Sequence, residues 1–275
     1  MKVNFAQLNQ EEQRVMARLK ATLALRLAEE AWRADPGLRA GSPARGVAMK
    51  IALGGAGPSI PLDIPASDSL GDTRGGSAPN SAPSSALSRR PALALYFPSA
   101  VAAMKVLSGA KGLAIPLPLG AGAFGALAFF RRASSRATEM LRDPATPGNI
   151  KARLLLAATL FGLEAIAGES YLARRMHIVP DGAVRVSVEE IEYFVVKNGN
   201  SIRVLRTVAG SSAPVHADAE LSFSDCRSAI EVLSGARQAV IALGSGQVRI
   251  EGLLPLVQGL FAVLDRLSWY MGVEL

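Results

Sequence analysis

A five-residue word occurs twice in this chain, as Val106-Leu107-Ser108-Gly109-Ala110 and as Val232-Leu233-Ser234-Gly235-Ala236, 126 positions apart. The match runs on without a gap. Leu95 meets Leu221, Phe97 meets Phe223, Ala103 meets Ala229, Ile115 meets Ile241, Leu117 meets Leu243, Gly120 meets Gly246 and Leu127 meets Leu253. That makes twelve identities between positions 95 and 127, with apolar character also kept at Met104/Ile230, Ala114/Val240 and Phe124/Ile250. The spacing is that of a small domain, so a chain of 275 residues has room for two copies of one fold.

Hydrophobic residues make up 49% of the chain and aromatics only 5%, so any core is built mainly from Ala, Leu, Val and Ile. Cys226 is the single cysteine, which excludes an intramolecular disulfide and a cysteine-rich zinc site. The first residues lack an apolar signal core, and a cytoplasmic protein without metal or cofactor is expected. The net charge of +7 is unevenly placed: residues 36–138 hold eleven Lys and Arg against three Asp. Such a surplus suits a solvated basic face or transient attraction to an anionic membrane surface. No basic-and-aromatic interleaving accompanies it, so nucleic acid is not expected.

Residues 10–34 read as an amphipathic helix capped by Asn9, with Val15, Leu19, Leu23 and Leu27 at helical spacing and Asp35-Pro36-Gly37 as its stop. A strand over Val47–Leu53 follows. Residues 66–90, dense in Ser, Gly, Pro and Ala, read as a flexible loop. A linker at 143–148 divides the chain near residue 146, and a helix over 150–172 starts the second half with Asn149 as its cap. Asn198-Gly199 between two β-rich runs signals a hairpin, and Pro180-Asp181-Gly182 a turn. Ala219–Phe223 alternates like a half-buried strand, Asp225 caps a short helix, and Gly235 ends it; Ser99 and Gly109 punctuate the first copy the same way. Val240–Leu243 and Gln247–Ile250 read as a further strand pair. A closing helix runs over about 253–271.

Catalytic candidates are sparse. Gly120-Ala121-Gly122-Ala123-Phe124-Gly125 fits G-x-G-x-x-G, but Pro116 and Pro118 interrupt the strand that a dinucleotide loop needs ahead of it. Gly112–Phe130 is nineteen residues without a charge, the length of a membrane span, yet its counterpart Gln238–Leu256 contains Arg249 and Glu251. A strand pair leading into a buried helix is therefore expected there. His177 and His216 stand apart with no local partner at metal-ligand spacing. Cys226 at a helix start has the dipole to lower its pKa, but reads as a packing residue. Glu164 and Glu169 are expected to face solvent.

The run from Ala217 to Leu264 resembles the sterol carrier protein 2 family. The resemblance lies in Ala217-Asp218-Ala219-Glu220-Leu221-Ser222-Phe223-Ser224-Asp225, in Leu233-Ser234-Gly235-Ala236, in Ala242–Gly252 and in the apolar closing helix. It covers roughly 180–270 and reaches the first half through the repeat. The first copy departs from it at Pro98-Ser99-Ala100 and at Leu117-Pro118-Leu119-Gly120-Ala121-Gly122.

The resemblance implies an α+β fold in two tandem copies, residues 1–146 as a degenerate one and 147–275 as the lipid-binding one. Each is a mainly antiparallel sheet covered by helices. It also implies non-enzymatic binding and transfer of an apolar ligand: a sterol, a fatty acyl chain or another lipid. Leu221, Phe223, Ile230, Leu233, Val240, Leu243, Val248, Ile250, Leu253, Leu256, Leu260 and Phe261 are the candidate lining. Two readings stand for them, a tunnel or a filled core. The alternative functions are an interaction module with a closed tunnel, and an enzyme using the Gly120–Gly125 loop with a dinucleotide.

Overall fold

The computed structural model describes residues 3–43, 46–54, 59–64, 91–120, 122–207 and 216–274. The segment 66–90, expected to be a loop, lies outside the described residues. In chain order the first elements are β1 (Val3–Asn4), α1 (Gln10–Ala34), α2 (Pro36–Ala40), β2 (Val47–Leu53), β3 (Ile60–Ile64), β4 (Leu93–Phe97), α3 (Ala100–Leu107), β5 (Ile115–Pro118) and α4 (Ala123–Arg142). There follow α5 (Gly148–Ile166), α6 (Ser170–Met176), β6 (Gly182–Val188), β7 (Ile191–Asn198), β8 (Ser201–Arg206) and β9 (Ala219–Phe223). The last are α7 (Cys226–Leu233), α8 (Ala239–Gly244), β10 (Val248–Gly252), α9 (Leu254–Met271) and β11 (Val273–Glu274).

The chain divides into two units, one of Lys20–Arg142 and one of Met1–Leu19 with Asp143–Leu275. The first nineteen residues, expected with the first half, thus count with the C-terminal unit. Their ties explain it. β1 pairs in parallel with β11, the Glu11 carboxylate accepts from the Ser170 N–H at 2.8 Å, and Glu12 meets Arg266 at 2.9 Å. α1 starts on a reciprocal cap: Asn9 accepts from the Glu12 N–H at 2.9 Å, and Glu12 accepts from the Asn9 N–H at 3.0 Å.

In the N-terminal unit the sheet order is β3-β2-β4-β5, with β2–β4 parallel and the other pairs antiparallel. In the C-terminal unit the order is β10-β9-β6-β7-β8, with β6–β9 parallel and the rest antiparallel. The two are one topology, in which β2, β3, β4 and β5 answer to β6, β7, β9 and β10, and β8 has no counterpart among the described residues. Both units are α+β. The repeat holds at a spacing of 126 through the helix that follows the parallel strand: Ser99 caps α3 through the Ala102 N–H, and Asp225 caps α7 through the Ser228 N–H. Beyond that helix the spacing changes. Ile115 pairs with Tyr96 and Arg249 with Ser222, so the closing strands answer at 134. The eight extra residues accommodate α8. The identities from Ile115 onward therefore join unlike elements, and Val240–Leu243, expected as a strand, is helix.

The same backbone knot closes both sheets. The Ala92 N–H donates to the Ala48 carbonyl at 2.8 Å, and the Ala92 carbonyl accepts from Leu119 at 2.9 Å. Asp218 repeats this with the Ala183 carbonyl at 2.8 Å and Leu253 at 2.9 Å. Asp218 adds its side chain, which accepts from the Ala183 N–H at 2.8 Å. Two glycines admit it. A Cβ at Gly182 would stand 2.7 Å from the Asp218 carboxylate, and one at Gly252, where φ is +83°, would run into the Asp218 carbonyl oxygen.

The hairpin expected at Asn198-Gly199 forms, with Asn198 paired to Ser201 and Gly199 at φ +57° in the first central position. Asp181, in the expected turn, accepts from Lys197 Nζ at 2.6 Å and from the Gly199 N–H at 2.9 Å. The Lys197 ammonium, with that backbone N–H, holds the Asp181 carboxyl below its ordinary range.

Two carboxylates expected in solvent are structural. Glu164, half-buried on α5, accepts from the Val204 N–H at 3.1 Å and so covers a donor on the edge strand β8. Glu169 is 2% exposed, and Arg266 Nε donates to both its oxygens at 2.9 and 3.0 Å. Burial opposes the Arg266 charge, but the bonds to Glu169 and Glu12 outweigh it and raise its proton affinity. The Tyr171, Trp269 and Tyr270 rings flank the guanidinium, Trp269 with its centroid 4.0 Å away.

Asp218→Ala should cost about 1–3 kcal/mol, because it strands a buried N–H, yet keep the topology, as Ala92 does in the other unit. Gly252→Ala should cost at least as much. Glu169→Gln should cost about 1–3 kcal/mol, because the part-buried Arg266 keeps Glu12 as its one carboxylate partner and loses the charge on the more buried one. Urea denaturation with an unchanged m-value checks all three.

Candidate functional site

Strand alternation and register give the C-terminal sheet two unlike faces. Val248 and Ile250 of β10 lie beside Phe223 and Leu221 of β9, which lie beside Val188 and Val186 of β6, and these beside Ile191 and Tyr193 of β7. Val184 and Val195 continue the row toward Val204 on β8. The opposite face carries Arg185 paired with Glu220 at 2.7 Å and Glu192 at 3.4 Å, and Arg249 with Glu251. The helices supply the second layer: α5 meets β8, α7 and α9, and α9 meets β9 and β6. Gly162 lets α5 approach α9, since a Cβ there would lie 2.9 Å from the Leu267 side chain.

Packing is uneven along this apolar layer. Tyr193, Val184 and Val195 are fully enclosed, and Phe161 meets Tyr193 edge-to-face at 6.4 Å between centroids. Of the expected lining, Phe223, Val248, Leu256 and Leu260 are also buried. Leu221, Ile230, Leu233, Leu243, Ile250 and Phe261 are only half-buried. They sit on β9, α7, α8, β10 and α9, elements joined by direct contacts: α7 touches β9 and α8, α8 touches β10, and α9 touches β9. Two expected residues point elsewhere. Val240 is 78% exposed on α8, and Leu253 is exposed where β10 passes into α9. Val184, Val186, Tyr193 and Val195 belong to the same face and were not singled out, although the period-two alternation of β6 and β7 carries the signal.

The Gly120–Gly125 stretch does not have the setting that a dinucleotide loop requires. Among the described residues the strand ahead of it, β5, is an antiparallel edge strand, and α4 behind it leads to no parallel partner. Pro116 and Pro118 are tolerated because, among the described residues, β5 pairs on one side only. The uncharged run Gly112–Phe130 is divided between β5 and α4, and among the described residues no helix is long and apolar enough to cross a membrane.

His177 and His216 are exposed, and among the described residues no group of three or more His, Cys, Asp or Glu stands at metal-binding distance. Cys226 is buried at the first turn of α7, where the dipole alone would favour the thiolate. Burial wins, and Glu189, which accepts from the Cys226 N–H at 3.1 Å, adds to it with Asp225; the thiol is pushed up to about 11. The N-terminal unit has an open surface cleft of about 380 Å³ lined by Asp35, Leu38, Arg132, Ser135, Arg136 and Glu139. Its charges are spent internally: Arg136 meets Asp35 at 2.7 Å and Glu139 at 3.3 Å, and Arg132 donates to the Gly41 carbonyl at 2.7 Å.

No protein-family model matches the chain, and no curated protein matches it. The chain is similar to a set of solved structures, and two of them serve as examples. One, a UbiJ-SCP2 ubiquinone synthesis protein, is 19% identical, with 48% of this chain and 84% of that one covered and a TM-score of 0.26. The other, the solution structure of the sterol carrier protein domain 2 of Helicoverpa armigera, is 17% identical, with 46% and 92% covered and a TM-score of 0.29. Both are named for the sterol carrier family that residues 217–264 resemble.

A thiol held higher in the folded chain binds its proton more tightly there. Its contribution to stability is therefore complete below the ordinary value of 9.0 and is lost as pH rises through about 11. Stability of the parent should fall relative to Cys226→Ala across that alkaline window, as thermal melts at graded pH would measure.

Proposed function

We propose that the C-terminal unit binds an apolar ligand, a sterol, fatty acyl chain or other lipid, between its sheet and its helices, and acts as a carrier without altering it. The observation that carries this reading is the gradient of packing. One end of the apolar layer is filled by Tyr193, Val184 and Val195, while at the other Leu221, Ile230, Leu233, Leu243, Ile250 and Phe261 remain half-buried beside the buried Phe223, Val248, Leu256 and Leu260. A lipid entering there meets the carbon of these side chains, which is what an acyl chain requires. The names of the two similar structures agree with that direction.

The chemistry asked of such a site is small. Each methylene moved from water onto this layer contributes about 0.8 kcal/mol, so affinity needs chain length rather than a polar anchor. Cys226 is protonated and enclosed, and the Glu169–Arg266 pair is committed to packing, so neither serves a reaction in this reading.

Fluorescent fatty acids of increasing length should bind about four-fold more tightly per added methylene. Ile250→Trp or Leu221→Trp, which enlarge half-buried positions, should abolish binding while leaving the melting temperature near that of the parent. Protein that ignores every chain length, and from which native mass spectrometry recovers no lipid, overturns the reading.

A further inference from the structure

The β5 edge of the N-terminal unit presents a surface that its own core does not use. Among the described residues β5 pairs with β4 alone. Pro116 and Pro118 stand in it, and a proline has no N–H to offer an incoming strand, so strand addition is opposed there. The residues around them are nevertheless apolar and outward. Leu113, Leu117 and Leu119 are 59%, 43% and 52% exposed, and Phe124, in the first turn of α4, is 85% exposed. A single exposed leucine is ordinary; four large apolar side chains in twelve consecutive positions are a patch.

The charge around the patch has one sign. Lys105, Lys111 and Arg131 are exposed, and none pairs with a carboxylate of the described residues. The sequence holds no Asp or Glu between Asp72 and Glu139. The strand that bears Asp63, β3, is at the opposite edge of the sheet. A protein partner would find no N–H to pair with at either proline and, among the described residues, no carboxylate paired with these cations. An anionic bilayer offers hydrocarbon for the leucines and phenylalanine and phosphates for the cations.

We propose that this corner docks on an anionic phospholipid surface, with Leu119 and Phe124 entering the interface and Lys105, Lys111 and Arg131 meeting the headgroups. The docking does not rest on what the C-terminal unit holds, and it is read separately from fatty-acid binding.

The full chain should sediment with vesicles of phosphatidylcholine containing phosphatidylglycerol, stay in solution with phosphatidylcholine alone, and be released by salt as screening shortens the reach of the cations. Phe124→Ser should weaken binding about ten-fold or more. Lys111→Ala should weaken it about five-fold. Both positions are exposed, so melting curves should not move. The proposal is overturned if the parent stays in solution with both vesicles, or if either variant binds like the parent. A concentration-dependent dimer dissolved by Phe124→Ser would overturn it too, and would assign the patch to a second copy of the chain.

Discussion

Each sheet of this protein depends on a non-sequential parallel pair, and that pair is closed by one residue. Ala92 and Asp218 each stand just ahead of the strand that returns, and each bonds backward to the first strand of its sheet and forward to the last. With those two bonds made, the remaining order is set: a hairpin extends on one side and an antiparallel edge strand on the other. The knot is mostly backbone, which is why it survives the loss of a side-chain acceptor in the N-terminal unit. In the C-terminal unit the Asp218 carboxylate and two glycines tighten it.

From that order follows the one-sidedness of the C-terminal sheet. Residues brought into register across four strands repeat the same period, so valines fall in rows on one side and arginine–glutamate pairs on the other. Helices α5, α7 and α9 then have one apolar surface to cover. They cover it fully near β6 and β7 and incompletely near β10, where the chain has gained α8. The insertion and the loosened packing occur at the same corner.

The sequence made local structure legible. The helix at Gln10–Ala34, the strand at Val47–Leu53 and the Ser99 and Asp225 caps each depend on side chains within a few positions of one another, as does the hairpin about Gly199. What the sequence hid was non-local. Glu169 reads as a solvent residue because its partner, Arg266, lies 97 positions away. The first nineteen residues read as part of the first half, but the residues that hold them are at 170, 266 and 273. Val240–Leu243 misled for another reason: a short run of Val, Ile, Ala and Leu has no period to separate strand from helix, and an ungapped repeat aligned it with β5. The apolar face was legible in part. Leu221, Phe223, Val248 and Ile250 share a face as alternation requires, whereas Val240 required a strand that is not there.

The enclosed thiol has a practical consequence. Cys226 is the chain's single cysteine, fixed against α5 and the Glu189 carboxylate at the start of the helix next to the loosely packed corner. A thiol reagent can reach it only when that helix lifts away. The rate of its alkylation thus reports the opening free energy of this corner alone, in a chain with no second thiol to blur the trace.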